Sequence, residues 1–199
     1  MKIAFFELED WEKDYIRKNL KGHILTFVDG SLTKTTAAKA KHCDAAAVFI
    51  YSKIDKMVHA KLPKLKFIAA MSTGYDHIDI AAAKKRKIVV SNVPTYGENT
   101  VAEHTFALIL ALSRKIADSA ERTRHGDFTL DGLRGFDLKG KTIGVVGTGH
   151  IGMHVIRIAR GLEMDVIAFD VKKDAAAAKK SGFKYVDLNT LLKNSDIIS

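Results

Sequence analysis

The segment from Thr142 to Asp170 constrains the fold more than any other part of this chain. An apolar run, Thr142 to Val146, leads straight into Gly147-Thr148-Gly149-His150-Ile151-Gly152, which opens a helical stretch with apolar positions at Ile151, Val155, Ile156 and Ile158. A second apolar run, Val166 to Phe169, follows and ends in Asp170. Strand, glycine turn, helix and strand in this order form a βαβ unit with parallel strands. The motif G-x-G-x-x-G is weak evidence alone, and its position between strand and helix gives it weight.

Each glycine has a physical task in such a unit. Gly147 makes the tight turn, Gly149 lets a pyrophosphate approach the backbone, and Gly152 lets helix and strand pack closely. The helix N-terminus, with the amides of His150 and Ile151, then meets the phosphates with unpaired N–H groups and the positive end of the macrodipole. Asp170, about twenty residues beyond the glycines, stands where this architecture places a carboxylate on the adenosine ribose diol. A carboxylate repels a 2′-phosphate, so the expected cofactor is NAD rather than NADP, with Lys172 and Lys173 nearby as the features that argue the other way. FAD or S-adenosylmethionine can use the same turn.

Upstream, short β-branched or aromatic runs alternate with helical stretches, the pattern of successive βα units. Strands are expected at Lys2 to Leu8, His23 to Val28, Ala46 to Tyr51, Leu65 to Met71 and Ile88 to Val93, with helices at Glu9 to Leu20, Thr33 to His42, Lys53 to Lys61 and Ile78 to Lys87. Five such units make an open doubly wound sheet. The only two prolines, Pro63 and Pro94, stand where a helix or strand stops. A single long helix is expected from Asn99 to Thr123, then an irregular surface connection, Gly126 to Gly140, before βα alternation resumes. These features divide the chain into residues 1–98 and 99–199, both α/β. The last residues, Asp196-Ile197-Ile198-Ser199, read as the opening of another parallel strand and the second domain as incomplete at its C-terminus.

Composition narrows the function classes. The net charge of +9 comes from lysines and arginines dispersed in short groups, such as Lys84 to Lys87, that complement helix C-termini. No basic stripe is interleaved with aromatics, so nucleic acid is not an expected partner; small anions are better suited to this field. The longest apolar stretch, Thr105 to Leu112, is far short of a membrane span. The one cysteine, Cys43, permits no internal disulfide and fits a reduced, cytoplasmic setting. No metal cluster is expected.

Three segments together resemble a known family. STGYDHIDIAAAKKRKIVVSNVPTYGENTVAEH, RTRHGDFTLDGLRGFDLKGKTIGVVGTGHIG and VIAFD are similar to the D-isomer-specific 2-hydroxyacid dehydrogenases, most of all their D-lactate branch. The resemblance runs over nearly the whole chain and is most branch-specific from Arg122 to Gly152. It implies a flavodoxin-like substrate domain, an inserted Rossmann NAD domain, reduction of a small 2-keto acid such as pyruvate with NADH, and a homodimer helped by the helix from Asn99. It also implies that the amides of Thr73 and Gly74 hold the substrate carboxylate and that Tyr96 faces the substrate. A turn after a strand, with a glycine that admits a ligand, is a plausible anion nest at the C-terminal edge of a parallel sheet.

The arginine, glutamate and histidine that such enzymes use for catalysis are expected beyond Ser199, so the resemblance assigns no catalytic residue within this chain. None of its eight histidines, His104, His125 and His150 included, takes that role by motif. Other branches, acting on glycerate, phosphoglycerate or bulkier keto acids, and a non-catalytic NAD-sensing corepressor, are the competing expectations.

Overall fold

In the computed structural model, which describes Met1–Ser199, the alternation becomes two compact α/β units, Met1–Tyr96 and Gly97–Ser199. The first contains strands β1 (Lys2–Phe6), β2 (Ile24–Val28), β3 (Ala45–Val48), β4 (Phe67–Ala70) and β5 (Val89–Ser91), all parallel, in the order β2-β1-β3-β4-β5. That is the strand order of flavodoxin-like sheets. Its helices are α1 (Asp10–Asn19), α2 (Lys56–Lys61) and α3 (Ile80–Lys85). Every residue of β3 is buried, as a central strand covered on both faces requires. The core closes around Phe6, Val48, Ile54, Leu62 and Ile68, all essentially inaccessible to solvent.

The second unit begins with α4 (Glu98–Ser113) and α5 (Ile116–Arg124) and continues as β6 (Thr142–Val146), α6 (His150–Gly161), β7 (Asp165–Phe169), α7 (Ala175–Ser181), β8 (Lys184–Tyr185), α8 (Leu188–Asn194) and β9 (Ile197–Ile198). The parallel sheet runs β8-β7-β6-β9, which is 3-2-1-4 counted from its own first strand, the Rossmann half-order. Ala102 and Phe106 of α4 join Val155, Ile156 and Ala159 of α6 over Ile143, Val145 and Val166. Gly144 in β6 admits α8, since a Cβ there would lie 2.5 Å from Leu191 Cδ2 and 2.2 Å from Ser195 Oγ.

Aspartates set the local punctuation. Asp55, Asp79, Asp174 and Asp187 each cap a helix, their carboxylates accepting hydrogen bonds from first-turn amides. Asp44 and Asp196 repeat one tie in the two sheets: each precedes a strand and takes the amide that opens its neighbour, Lys2 N to Asp44 Oδ2 at 2.9 Å and Thr142 N to Asp196 Oδ2 at 2.8 Å.

Two expected helices differ. The stretch Thr33 to His42 forms only a 3-10 turn, Ala37–Ala40. Threonine hydroxyls compete for the backbone there: Thr33 N donates to Thr36 Oγ1 at 2.8 Å, and Thr36 Oγ1 donates to Ser31 O at 2.8 Å. The long helix from Asn99 is two helices, broken where Lys115 adopts a left-handed conformation, φ 55 and ψ 38. Phe136 N donates to Ser113 O at the break, and Gly135 lies so close to that carbonyl that a Cβ would meet it at 2.0 Å. The remaining strands and helices stand where expected, several with the expected bounds and the others with ends shifted by a few residues. The final Ile197–Ile198 strand pairs in parallel with β6, with Ile198 half exposed.

Candidate functional site

The glycine turn at the end of β6 shows three different reasons for three glycines. Gly147 has φ +97, a conformation that side chains rarely adopt, and its amide donates to Phe169 O at 2.8 Å, tying the turn to β7. Gly152 is forced by packing, because a Cβ would stand 2.0 Å from the Gly147 carbonyl oxygen. Gly149 is required by neither: its φ is −69, and a Cβ would meet nothing within 4 Å. A glycine that the chain's own geometry does not need, at the mouth of the turn, leaves room for an outside group.

The amides of Gly149, His150, Ile151 and Gly152 donate no hydrogen bond within the chain. They form the open N-terminus of α6, whose 12 residues align their dipoles behind them. His150 is exposed and Ile151 is 40% exposed, so neither side chain covers those amides with core packing.

Asp170 follows β7 and stands beside the turn. Its Oδ2 accepts from Thr148 N at 2.7 Å and from Thr148 Oγ1 at 3.0 Å, and its Oδ1 accepts from Lys172 N at 2.8 Å. The amide of Lys172, then the amide and hydroxyl of Thr148, hold its carboxyl below the usual carboxylate range. The group is therefore an anion at neutral pH with about one of its four acceptor positions left open. Thr148, Gly149, Asp170, Lys172, Lys173 and Asp174 line an open cleft of about 550 Å³. The six sequence-derived residues of this unit thus fall at one end of its sheet. Thr148 and Tyr185 were not anticipated: Tyr185 Oη lies 2.7 Å from Thr148 Oγ1. Thr148 is an unconstrained position of the glycine motif, and Tyr185 reaches it only because β8 pairs with β7 at Ala168 and Tyr185.

In the first unit, Ser72-Thr73-Gly74 is a turn at the C-terminal end of β4. It is zipped to the segment after β5: Val93 N donates to Ser72 O at 3.1 Å, Thr73 Oγ1 to Val93 O at 3.1 Å, and Asn92 Nδ2 to Thr73 O at 2.8 Å. These bonds consume the Thr73 hydroxyl and leave the amides of Thr73 and Gly74 without a partner in the chain. Tyr96 stands three residues beyond Val93, 60% exposed, its phenol unbonded. The structure links Thr73 and Gly74 in one turn and leaves Tyr96 outside that hydrogen-bonded set.

Glu7 was also unanticipated. It follows β1 with φ 59, and its carboxylate accepts from Phe49 N at 3.0 Å, Tyr51 N at 2.6 Å and the Ser52 hydroxyl, closing the loop after β3. An acid directly after the apolar run of β1 is the only signal the sequence offers for it. Among the histidines, His59 is buried with both ring nitrogens unpaired, and His125 pairs with Glu121 at 2.9 Å on an exposed helix end.

Known proteins share this architecture. The chain is 39% identical over 203 residues to D-lactate dehydrogenase of Escherichia coli, matching all of this chain and 61% of that one. It is 38% identical over 168 residues to glyoxylate reductase of Thermococcus litoralis, covering 81% of this chain and 51% of that one. Among solved structures, D-lactate dehydrogenase from Aquifex aeolicus complexed with NAD and lactic acid superposes with a TM-score of 0.91 at 33% identity, covering 98% of this chain and 59% of that one. The apo-structure of the Escherichia coli D-lactate dehydrogenase gives 0.86 at 38% identity, covering 100% and 64%. The chain thus spans about three fifths of the length of the relatives it matches. The family model for the D-isomer specific 2-hydroxyacid dehydrogenase catalytic domain matches residues 3–181, and the chain belongs to that family.

Proposed function

We propose that this chain carries the cofactor seat and the substrate-carboxylate turn of an NAD-dependent D-2-hydroxyacid dehydrogenase, with pyruvate and D-lactate as its substrate pair. One observation carries the reading: the Asp170 carboxylate is bonded to the glycine turn itself, at Thr148, next to the unpaired amides from Gly149 to Gly152. A diphosphate needs such amides, and a ribose diol needs an acceptor anion at their side. Gly147 and Gly152 set the turn's shape, His150 and Ile151 present amides to phosphate, and Gly149 keeps the approach clear.

Bound NAD supplies the hydride chemistry that neither unit's side chains possess. The free amides of Thr73 and Gly74 suit the carboxylate of a small 2-keto acid, and the exposed phenol of Tyr96 is free to donate to it. Orientation and anion binding are therefore the roles of this chain's own groups. The acid–base role is not assigned to a histidine of this chain: His59 is sealed in the core, the His125–Glu121 pair is solvent-exposed, and no other histidine is paired with a carboxylate. On this reading the chain as it stands binds NADH without turning over pyruvate.

Val101, Leu108 and Leu112, apolar and exposed on α4, support a homodimer, and the buried thiol of Cys43 suits a reducing cytoplasm. No helix is long and apolar enough to cross a membrane. Glyoxylate is the second substrate to consider, because glyoxylate reductases are among the relatives. NADH fluorescence titration tests the seat, with saturable binding expected and its absence overturning the assignment. NADH oxidation by the full-length gene product with pyruvate, glyoxylate, hydroxypyruvate and phenylpyruvate tests the substrate; a preference for any but pyruvate overturns the lactate reading.

A further inference from the structure

The carboxylate of Asp170 is held by a hydrogen-bond chain that extends past the glycine turn into the next strand. Thr148 Oγ1 lies 3.0 Å from Asp170 Oδ2 and 2.7 Å from Tyr185 Oη, and Asp174 N donates to Tyr185 Oη at 3.3 Å. Proton counting fixes the direction. An ionised carboxylate only accepts, so Thr148 gives its single proton to Asp170; Thr148 must then accept from Tyr185, whose own lone pair takes the Asp174 amide. The chain runs Asp174 N–H to Tyr185 O–H to Thr148 O–H to Asp170, each donor polarising the next.

Tyr185 is suited to anchor it. The residue is half-buried in β8, its ring stands edge-on to Phe183 with centroids 5.1 Å apart, and β8 is registered on β7 at Ala168, two residues before Asp170. The consequence is chemical. With Thr148 supplying two donors to Oδ2, the carboxylate is pinned to the turn and keeps its open acceptor position on Oδ1. Lys172 and Lys173 line the same cleft and offer cations that a 2′-phosphate would need, so the fixed anion is what opposes them.

We propose that Tyr185 is a positioning residue that sets the preference for NAD over NADP by holding the Thr148 proton on Asp170. The inference rests on the dinucleotide reading of this site and goes beyond it. Without the tyrosine hydroxyl, Thr148 Oγ1 loses the donor that orients it and can turn its proton away from Asp170, so the carboxylate is held less firmly on Oδ2 and a 2′-phosphate meets a less fixed anion.

The test is binding of NADH and NADPH, by fluorescence titration, to the wild-type chain and to Tyr185→Phe, which keeps the ring against Phe183. Loss of one neutral hydrogen bond should weaken NADH binding about fivefold while NADPH binding holds or improves, narrowing the ratio. Thr148→Val should narrow it in the same direction, Thr148→Ser should restore it, and Tyr185→Phe added to Thr148→Val should do nothing more. Because Tyr185 acts only through the Thr148 hydroxyl, an unchanged ratio in Thr148→Val overturns the proposal even if Tyr185→Phe folds poorly. An unchanged NADH to NADPH ratio in Tyr185→Phe, or equal weakening of both, overturns the role of Tyr185 and leaves the site reading intact. Absence of saturable NADH binding to the wild type overturns both.

Discussion

Gly149 and Gly152 lie three residues apart in one turn, yet replacing each by alanine should separate binding from folding. At Gly149 the backbone is extended, with φ −69 and ψ −164, and a methyl would meet no atom within 4 Å. Alanine there removes freedom from the unfolded chain, a gain of about 0.4–1 kcal/mol. It is also a poorer N-cap than glycine, a loss of roughly the same size. The two offset, so stability should stay within about 0.5 kcal/mol of wild type. The methyl nevertheless occupies the open space in front of the turn through which a diphosphate would approach the amides of α6, and NADH affinity should fall at least about tenfold, or about 1.4 kcal/mol.

At Gly152 the arithmetic differs. The added carbon would lie 2.0 Å from the Gly147 oxygen and 3.0 Å from its carbonyl carbon, both backbone. Gly147 cannot swing aside, because its positive φ is fixed and its amide is bonded to Phe169. The start of α6 must move outward, at a cost of about 1–3 kcal/mol, and binding is lost with it. Urea unfolding and NADH titration on both variants read the two effects. Wild-type NADH affinity in Gly149→Ala would refute the idea that this glycine exists to admit a diphosphate; equal destabilisation by both substitutions would refute the packing argument.

Three further outcomes follow from the structure. His59 has its pKa lowered, by burial first, and the neighbouring Asp79 backbone, outside hydrogen-bonding reach, only partly opposes it. Its stability contribution is whole above the ordinary imidazole value of about 6.5 and declines as pH falls through it, whereas Asp44, Asp170 and Asp187, with lowered pKa values, add a second decline below about 3.9. Denaturation midpoints measured from pH 8 to 3 should show both declines, and His59→Leu should abolish only the first. Lys115→Gly relieves the left-handed conformation between α4 and α5, worth about 1–2 kcal/mol before the greater unfolded-state entropy of glycine is subtracted, and should raise the thermal midpoint. Gly144→Ala forces a carbon against the fully buried Leu191 and should lower stability by about 1–3 kcal/mol in urea titration, with α8 the first element to lose amide-exchange protection.

How much of this was legible in the sequence depends on how far apart the cooperating residues lie. The glycine turn could be read because its constraint is the absence of a side chain, and absence leaves a mark in the residue identities themselves. Asp170 could be read because the length of one helix and one strand fixes its distance from the turn. The break at Lys115 could not, since the left-handed residue is a lysine with no glycine or proline to mark it, and its cause includes Gly135, which packs on Ser113 from across the irregular loop. The failed helix near Thr36 was hidden by alanines and lysines that favour helix, while the outcome was decided by hydroxyls bonding to nearby backbone. Asp44 and Asp196 look like ordinary surface acids until the strands pair and bring each to an amide 42 or 54 positions away. Tyr185 is the sharpest instance. A tyrosine in a short strand is compatible with many roles, and only the register of β8 on β7 selects the one in which its hydroxyl meets Thr148. Residues that shape the backbone therefore announce themselves along the chain, whereas residues that tune a carboxylate through hydrogen bonds acquire that role from tertiary pairing, which is why the fine control of this site had to be read from the folded structure.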